Sequence, residues 1–190
     1  MAVQTINDAS LAELLFDVFR SRGYEGATLS LLSEVTGLKK SSLYHRFPKG
    51  KDDMVKAVVL YVSEQLHLHV IQPLLNNSET PENRFTNMLT TIKAFYNDGR
   101  KNCLLNILSL GETKPEINEL LNKDYNAWLS ALINLGQEVG LSQDEAKTRS
   151  EHFLIVVEGA LVIQRLTSNP LTFQQSIELE KTVFFNISSN

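Results

Sequence analysis

The stretch T-L-S-L-L-S-E-V-T-G-L-K-K-S-S-L-Y-H-R-F, residues 28–47, decides the fold. It holds two short helical patterns separated by Gly37. In the first, Leu29, Leu31, Leu32 and Val35 supply the apolar positions, and Thr28 stands where an N-cap belongs. Leu31 occupies the third helical position in place of a carboxylate, so the capping box is incomplete. The second pattern runs from Lys39 to Arg46 and ends ahead of Pro48, since a proline drives the residue before it out of helical geometry. Two short helices around a glycine turn read as a helix-turn-helix.

The second helix is also the centre of the chain's positive charge. The whole chain has a formal charge of -4, yet residues 39–56 carry six Lys or Arg against Asp52 and Asp53, a net of +4. Residues 1–60 are at +1 and residues 61–190 at -5. Any polyanion would therefore be drawn by a local field and not by the protein as a whole. Lys39 and Lys40 lie at the start of the helix, where side chains reach phosphates or base edges of a major groove. Ser41 and Ser42 are small donors that permit close approach, while Leu43 and Phe47, four apart, look inward. Tyr44, Arg46 and, at the start of the next helix, Lys51 are placed to reach phosphates.

Working outward, nearly every patterned segment has a helical repeat. Leu11, Leu14, Leu15, Val18 and Phe19 make one stripe on a helix from Ala9 to Arg22 that Gly23 stops. A fourth helix runs from about Lys51 to Ile71, with a break at Pro73 and the polar run 76–81. Further helices are expected over 82–98, 102–111, 115–138, 143–167 and 171–186, separated by Gly99, Gly111, Gly140 and Pro170. Strand alternation is almost absent, so the chain is all-α. An N-terminal three-helix unit, residues 1–50, precedes a helical domain at 51–190.

Residues 15–47 resemble the DNA-binding domain of the TetR family of bacterial transcriptional regulators, matching at Phe19, Gly23, Tyr24, Thr28, Gly37, Ser42, Leu43, Tyr44, His45 and Phe47. The following F-P-K-G-K-D-D-M resembles the lengthened, glycine-containing link of the branch that includes LmrA- and YxaF-like repressors. The resemblance implies that Lys39, Lys40, Ser41 and Tyr44 line the DNA-facing side of the recognition helix. It implies phosphate contacts for Thr28, Ser42, His45 and Lys51. Family members often carry a basic residue just before the first helix, whereas this chain has Asp8 there. Loss of such contacts weakens binding and flattens its salt dependence.

By the same resemblance, residues 51–190 form a helical ligand-binding and dimerisation domain. Phe85, Met88, Phe95, Cys103, Leu104, Leu108, Tyr125, Trp128, His152 and Val156 are the candidate lining of a site for a small, largely apolar effector. The branch commonly starts its sixth helix with Gly-Cys; here the pair is Asn102-Cys103, and the cysteine is read as a packing residue. The last two long helices would make a four-helix interface in a homodimer. The segment 151–166 is apolar on more than one side, Gly159 and Ala160 permit close approach, and Phe173, Ile177 and residues 183–185 offer a second stripe. Such a dimer reads pseudo-palindromic double-stranded operator DNA.

No phosphate-cradling glycine loop, nucleophile elbow or H-E-x-x-H appears, so no enzyme is expected. Glu112, Glu116 and Glu119 read as a solvated acidic face. His67 and His69, two apart, point to different helix faces, so neither a metal nor another cofactor is expected. Cys103 is alone, no signal peptide opens the chain and no apolar run spans a bilayer. A cytoplasmic, non-membrane repressor released by its effector is therefore expected. An activator or corepressed regulator, or a ligand-binding dimer that has lost DNA affinity, are the alternatives.

Overall fold

The computed structural model describes residues 6–109 and 114–185. The expected helix limits at 111 and 186, and Glu112, lie outside them. The all-α expectation is borne out. We number the helices α1 (Asp8–Gly26), α2 (Leu29–Thr36), α3 (Lys40–Arg46), α4 (Lys51–Leu66), α5 (Pro81–Phe95), α6 (Leu104–Ser109), α7 (Pro115–Glu138), α8 (Gln143–Thr167) and α9 (Thr172–Phe185). Two compact units are present, one of residues 1–64 with 104–121 and one of residues 65–103 with 122–190.

In the first unit α1 packs on α2, α2 on α3, and α1 against α6. Leu15, Phe19, Leu32, Leu43, Met54 and Val58 are fully buried. Helix α1 outlasts its expected end: it kinks at Gly23 (φ 71°, ψ 177°) and adds a last turn to Gly26. Asn7 caps its start by accepting from Ser10 N. The buried Arg20 lays its guanidinium 4.6 Å from the Phe16 ring centre and faces Asp17 at 3.5 Å.

The second unit is organised by aromatic rings. Phe85 of α5 stacks on Phe184 at 4.6 Å between centres and meets Phe153 at 5.3 Å and Phe185 at 5.2 Å. Trp128 of α7 meets the same Phe153 edge-on. Phe173, Ile177 and Phe184 therefore belong to the core of this unit, a correction to their reading as an interface stripe. The periodicity had shown that this stripe needs covering, and α5 and α8 cover it.

Pro73 was expected to break the chain after Ile71, but the helical path continues. Residues His67–Ile71 form a π-helical turn, in which Gln72 N–H donates to the His67 carbonyl, and one more turn follows at Gln72–Leu74. A proline ring clashes with the carbonyl four residues back, and the wider turn moves that carbonyl aside.

Helix α5 was expected to reach residue 98. It stops at Phe95 because Asn97 and Asp98 turn left-handed (φ 48° and 51°). Gln164 of α8 fixes this corner: its amide donates to the Asp98 carbonyl and accepts from Phe173 N–H, both at 2.8 Å. A side chain at Gly99 would come within 2.5 Å of Gln164 Nε2 and Phe173 Cβ. Helix α8 starts with a full capping box, Ser142 accepting from Glu145 N–H while the Glu145 carboxylate accepts from Ser142 N–H.

One buried charge stands out. Arg84 is 2% exposed and donates to the Leu74 carbonyl at 2.7 Å, to Asn77, and to the Glu138 carboxylate at the end of α7. It thus satisfies the Leu74 carbonyl at the end of the α4 extension while tying α5 to α7. Replacing it, as in Arg84→Ala, removes these bonds and leaves a cavity, a loss of about 2–3 kcal/mol. Chemical denaturation should show it as a lowered midpoint at unchanged slope.

Candidate functional site

The turn between α2 and α3 is built from side-chain hydroxyls. Thr28 accepts from Leu31 N–H, capping α2 as its place in the sequence suggested. At the other end Gly37 takes the left-handed conformation (φ 67°), which glycine adopts without a Cβ penalty. Thr36 donates to the Leu32 carbonyl at 2.6 Å and accepts from Leu38 N–H, and Ser33 donates to the Leu38 carbonyl at 2.6 Å. The direction in which α3 leaves the turn is thereby fixed.

Helix α3 buries one side chain, Leu43. Lys40, Ser41, Ser42, Tyr44 (48% exposed), His45 and Arg46 face solvent, as does Lys39 just before the helix. Thr28 is exposed beside them in sequence, and Phe47 is half-buried. Lys40 reaches back to Ser30 of α2, donating at 2.8 Å, which sequence reasoning did not single out.

The remaining cations of the cluster are engaged by the fold. Arg46 donates to the Ile6 carbonyl at 2.9 Å and pairs with Asp8 at 3.3 Å, holding down the entry to α1. Lys51, half-buried, donates to the Tyr24 carbonyl at 2.8 Å, sits 4.3 Å from the Tyr24 ring centre and lies 3.8 Å from Glu25. Lys49 sends its backbone N–H to Asp53 while its side chain stays at the surface.

A second polar group sits behind this surface. Tyr24 O–H donates to Asp52 at 2.6 Å, and Lys114 bonds the other oxygen of the same carboxylate. Lys114, followed by Tyr24, holds the Asp52 carboxyl below its usual range, while the Asp52 bond, then burial, pushes the Tyr24 hydroxyl up to about 12. Residues 24, 52 and 114 are far apart in sequence, and nothing local marks them as partners.

The candidate effector residues divide. Phe85 and Met88 are fully buried, Phe85 with its ring inside the aromatic cluster that Trp128 also joins through Phe153. Phe95 packs edge-on to Tyr96, whose hydroxyl donates to Cys103 Sγ at 3.5 Å. Leu104 and Leu108 are buried and belong to the first unit. Tyr125 is exposed, Val156 half-buried, and the exposed His152 lies 3.4 Å from the buried Glu180. Burial pushes the Glu180 carboxyl above its usual range, against the pull of His152. Among the described residues no group of His, Cys, Asp and Glu could hold a metal ion, and no helix is long and apolar enough to cross a membrane.

The Asp52 network makes a signed prediction. A carboxyl whose folded pKa is depressed contributes stability above its unfolded value, near 3.8, and loses it as pH falls through the folded value. Asp52→Asn should therefore melt below the parent at neutral pH, and the gap should begin to narrow as pH falls below about 4. Melts at pH 7 and near pH 3 check this; an unchanged gap would show that the carboxylate charge contributes nothing.

Residues 14–58 match the family model for bacterial regulatory proteins of the tetR family. Two Bacillus subtilis (strain 168) proteins are related at 22% identity. One is the uncharacterized HTH-type transcriptional regulator YxaF, over 77% of this chain and 78% of its own; the other is the HTH-type transcriptional regulator LmrA, over 80% and 82%. Among solved structures, a TetR transcriptional regulator from Legionella pneumophila superposes with a TM-score of 0.82 at 16% identity, covering 96% of this chain and 99% of that one. A regulatory protein TetR from Rhodobacter sphaeroides gives 0.77 at 20% identity, with 90% and 95% covered. The chain has the fold of TetR-type helix-turn-helix regulators, and residues 14–58 carry the family's sequence match.

Proposed function

We propose that the protein is a homodimeric, DNA-binding transcriptional repressor of the LmrA/YxaF-like branch, released from its operator by a small, largely apolar ligand. One observation carries the reading: α3 buries Leu43 alone and turns Lys39, Lys40, Ser41 and Tyr44 outward on a rigidly set turn. These four residues would read the major groove, with Thr28, Ser42 and His45 on phosphates. Lys51 would join them only by giving up the Tyr24 carbonyl. Regulation then needs no catalytic group. Effector binding would favour a dimer geometry in which the two α3 helices no longer match the half-sites. A shift from mostly bound to mostly released takes about 5.5 kcal/mol of differential affinity.

The dimer surface is proposed on α8. Ile155 (70% exposed), Val162, Ile163 and Leu166 (77%) form a stripe on the face opposite the buried Phe153, Val157 and Gln164. Gly159 lies within the stripe with open space before it, and Leu179 of α9 is exposed as well. Leu166→Glu should convert the dimer to a folded monomer, because this side chain has little packing to lose within the subunit; sedimentation velocity would show it.

A second reading, a ligand-binding dimer without useful DNA affinity, is favoured by the engagement of Arg46 and Lys51 within the subunit. Selection of genomic fragments followed by a salt series separates the two. A repressor gives a sequence-preferring complex at low salt that weakens as salt rises, and Lys40→Ala and Tyr44→Ala each cost it about tenfold or more in affinity. Absence of any preferred fragment at low salt would reject the DNA reading, and full affinity in both variants would reject their assignment.

A further inference from the structure

In the second unit a carboxylate is held in place without a full set of partners. Glu158 projects from α8, and one of its oxygens, Oε2, is sealed from solvent with no hydrogen-bond partner. The Cys103 thiol bonds the carboxyl, and that thiol is in turn the acceptor of the Tyr96 hydroxyl at 3.5 Å. The relay Tyr96 to Cys103 to Glu158 thus orients the acid by donors alone. It adds no positive charge, and Glu158 forms no ion pair with Lys, Arg or His among the described residues. Burial pushes this carboxyl above its usual range, with the thiol opposing.

An acid in this condition is costly to a fold: removing the charge from water is unfavourable, and an unmatched buried oxygen adds its own penalty. The buried positions one turn to either side of it on α8, Leu154 and Leu161, are apolar. Arg84 Nε and Trp128 Nε1 are sealed and unpartnered as well, but Glu158 Oε2 is the acceptor among them, and an acceptor can be matched by a donor that arrives from outside. A neutral donor would satisfy the oxygen; a cation would satisfy the oxygen and the missing countercharge together.

We propose that the effector is an apolar molecule carrying a protonated amine, and that Glu158, oriented by Cys103 and Tyr96, is the counter-ion that receives it. This rests on the reading of the second unit as an effector domain. It narrows that reading from a largely apolar ligand to an amphipathic amine, and it gives Cys103 an orienting role in place of mere packing.

The test uses three probes of one shape on the full-length protein: 4-phenylbutylamine, neutral 4-phenylbutanol and anionic 4-phenylbutyrate. Calorimetry gives the affinities, and Trp128, the single tryptophan of the chain, whose ring meets Phe153 of α8, reports by fluorescence. The amine should bind about ten- to a hundredfold more tightly than the alcohol, and the acid most weakly. Glu158→Gln should remove the preference for the amine and keep the alcohol. It should also melt no lower than the parent, since it removes an unpaired buried charge. Glu151→Gln, a change of equal charge at an exposed Lys147 pair on the same helix, should leave the preference intact. Equal binding of amine and alcohol, as expected if an internal water serves Oε2, would overturn the counter-ion while leaving the effector domain standing. An amine preference that survives Glu158→Gln would do the same. Binding of none of the three would overturn both.

Discussion

A seven-residue helix has no stability of its own in water, because so few hydrogen bonds cannot offset the cost of nucleation. Helix α3 persists because Leu43 is buried and because the turn ahead of it is pinned by Thr36, Ser33 and the left-handed Gly37. Everything else about the outer surface follows from that single anchor. With one inward residue per two turns, the other positions are released from packing and can carry lysine, serine and tyrosine without conflict. The chemistry of the surface is possible because so little of the helix is needed to hold it.

The second unit solves a different problem. Its helices are long enough to persist through packing, and its rings make a continuous apolar interior around Phe85 and Phe153. Polar groups are admitted there for defined tasks. Arg84 closes a helix end, and Gln164 sets the corner that follows α5. Glu158 keeps one sealed carboxylate oxygen without a partner, as Arg84 keeps its Nε, but only Glu158 also lacks an ion pair among the described residues.

Local features were legible in the sequence wherever a local rule produces them. Thr28 marked the start of α2, Gly37 and Pro48 bracketed α3, and the apolar spacing announced the long helices. Features made by distant residues were not. Asp52 and Lys114 are 62 positions apart, and no spacing rule joins them or foretells that residues 104–121 cluster with the first sixty-four. Phe173 and Ile177 show a further limit: periodicity reveals that a stripe is covered, but not by what. Pro73 misled for a related reason, since a breaker signal cannot show that a widened turn will accommodate it. At the candidate interface, the exposed row of α3 was readable from Leu43 and Phe47. The bonds of Arg46 to Asp8 and of Lys51 to Tyr24 were hidden, because each closes a loop of more than twenty residues.

Those internal bonds bear on how such a protein would behave in a genome. Bulk chromosomal DNA competes for a regulator mainly through its charge, and the number of phosphates neutralised sets how strongly every irrelevant site retains it. With Arg46 and Lys51 already answered inside the subunit, the headpiece would be a poor ligand for anonymous duplex. Under the proposed DNA-binding function, the fraction of copies lost to background sites would fall, and occupancy of an operator would depend on matching bases. In a DNA-binding protein, an arginine paired with Asp8 would thus favour discrimination over raw affinity.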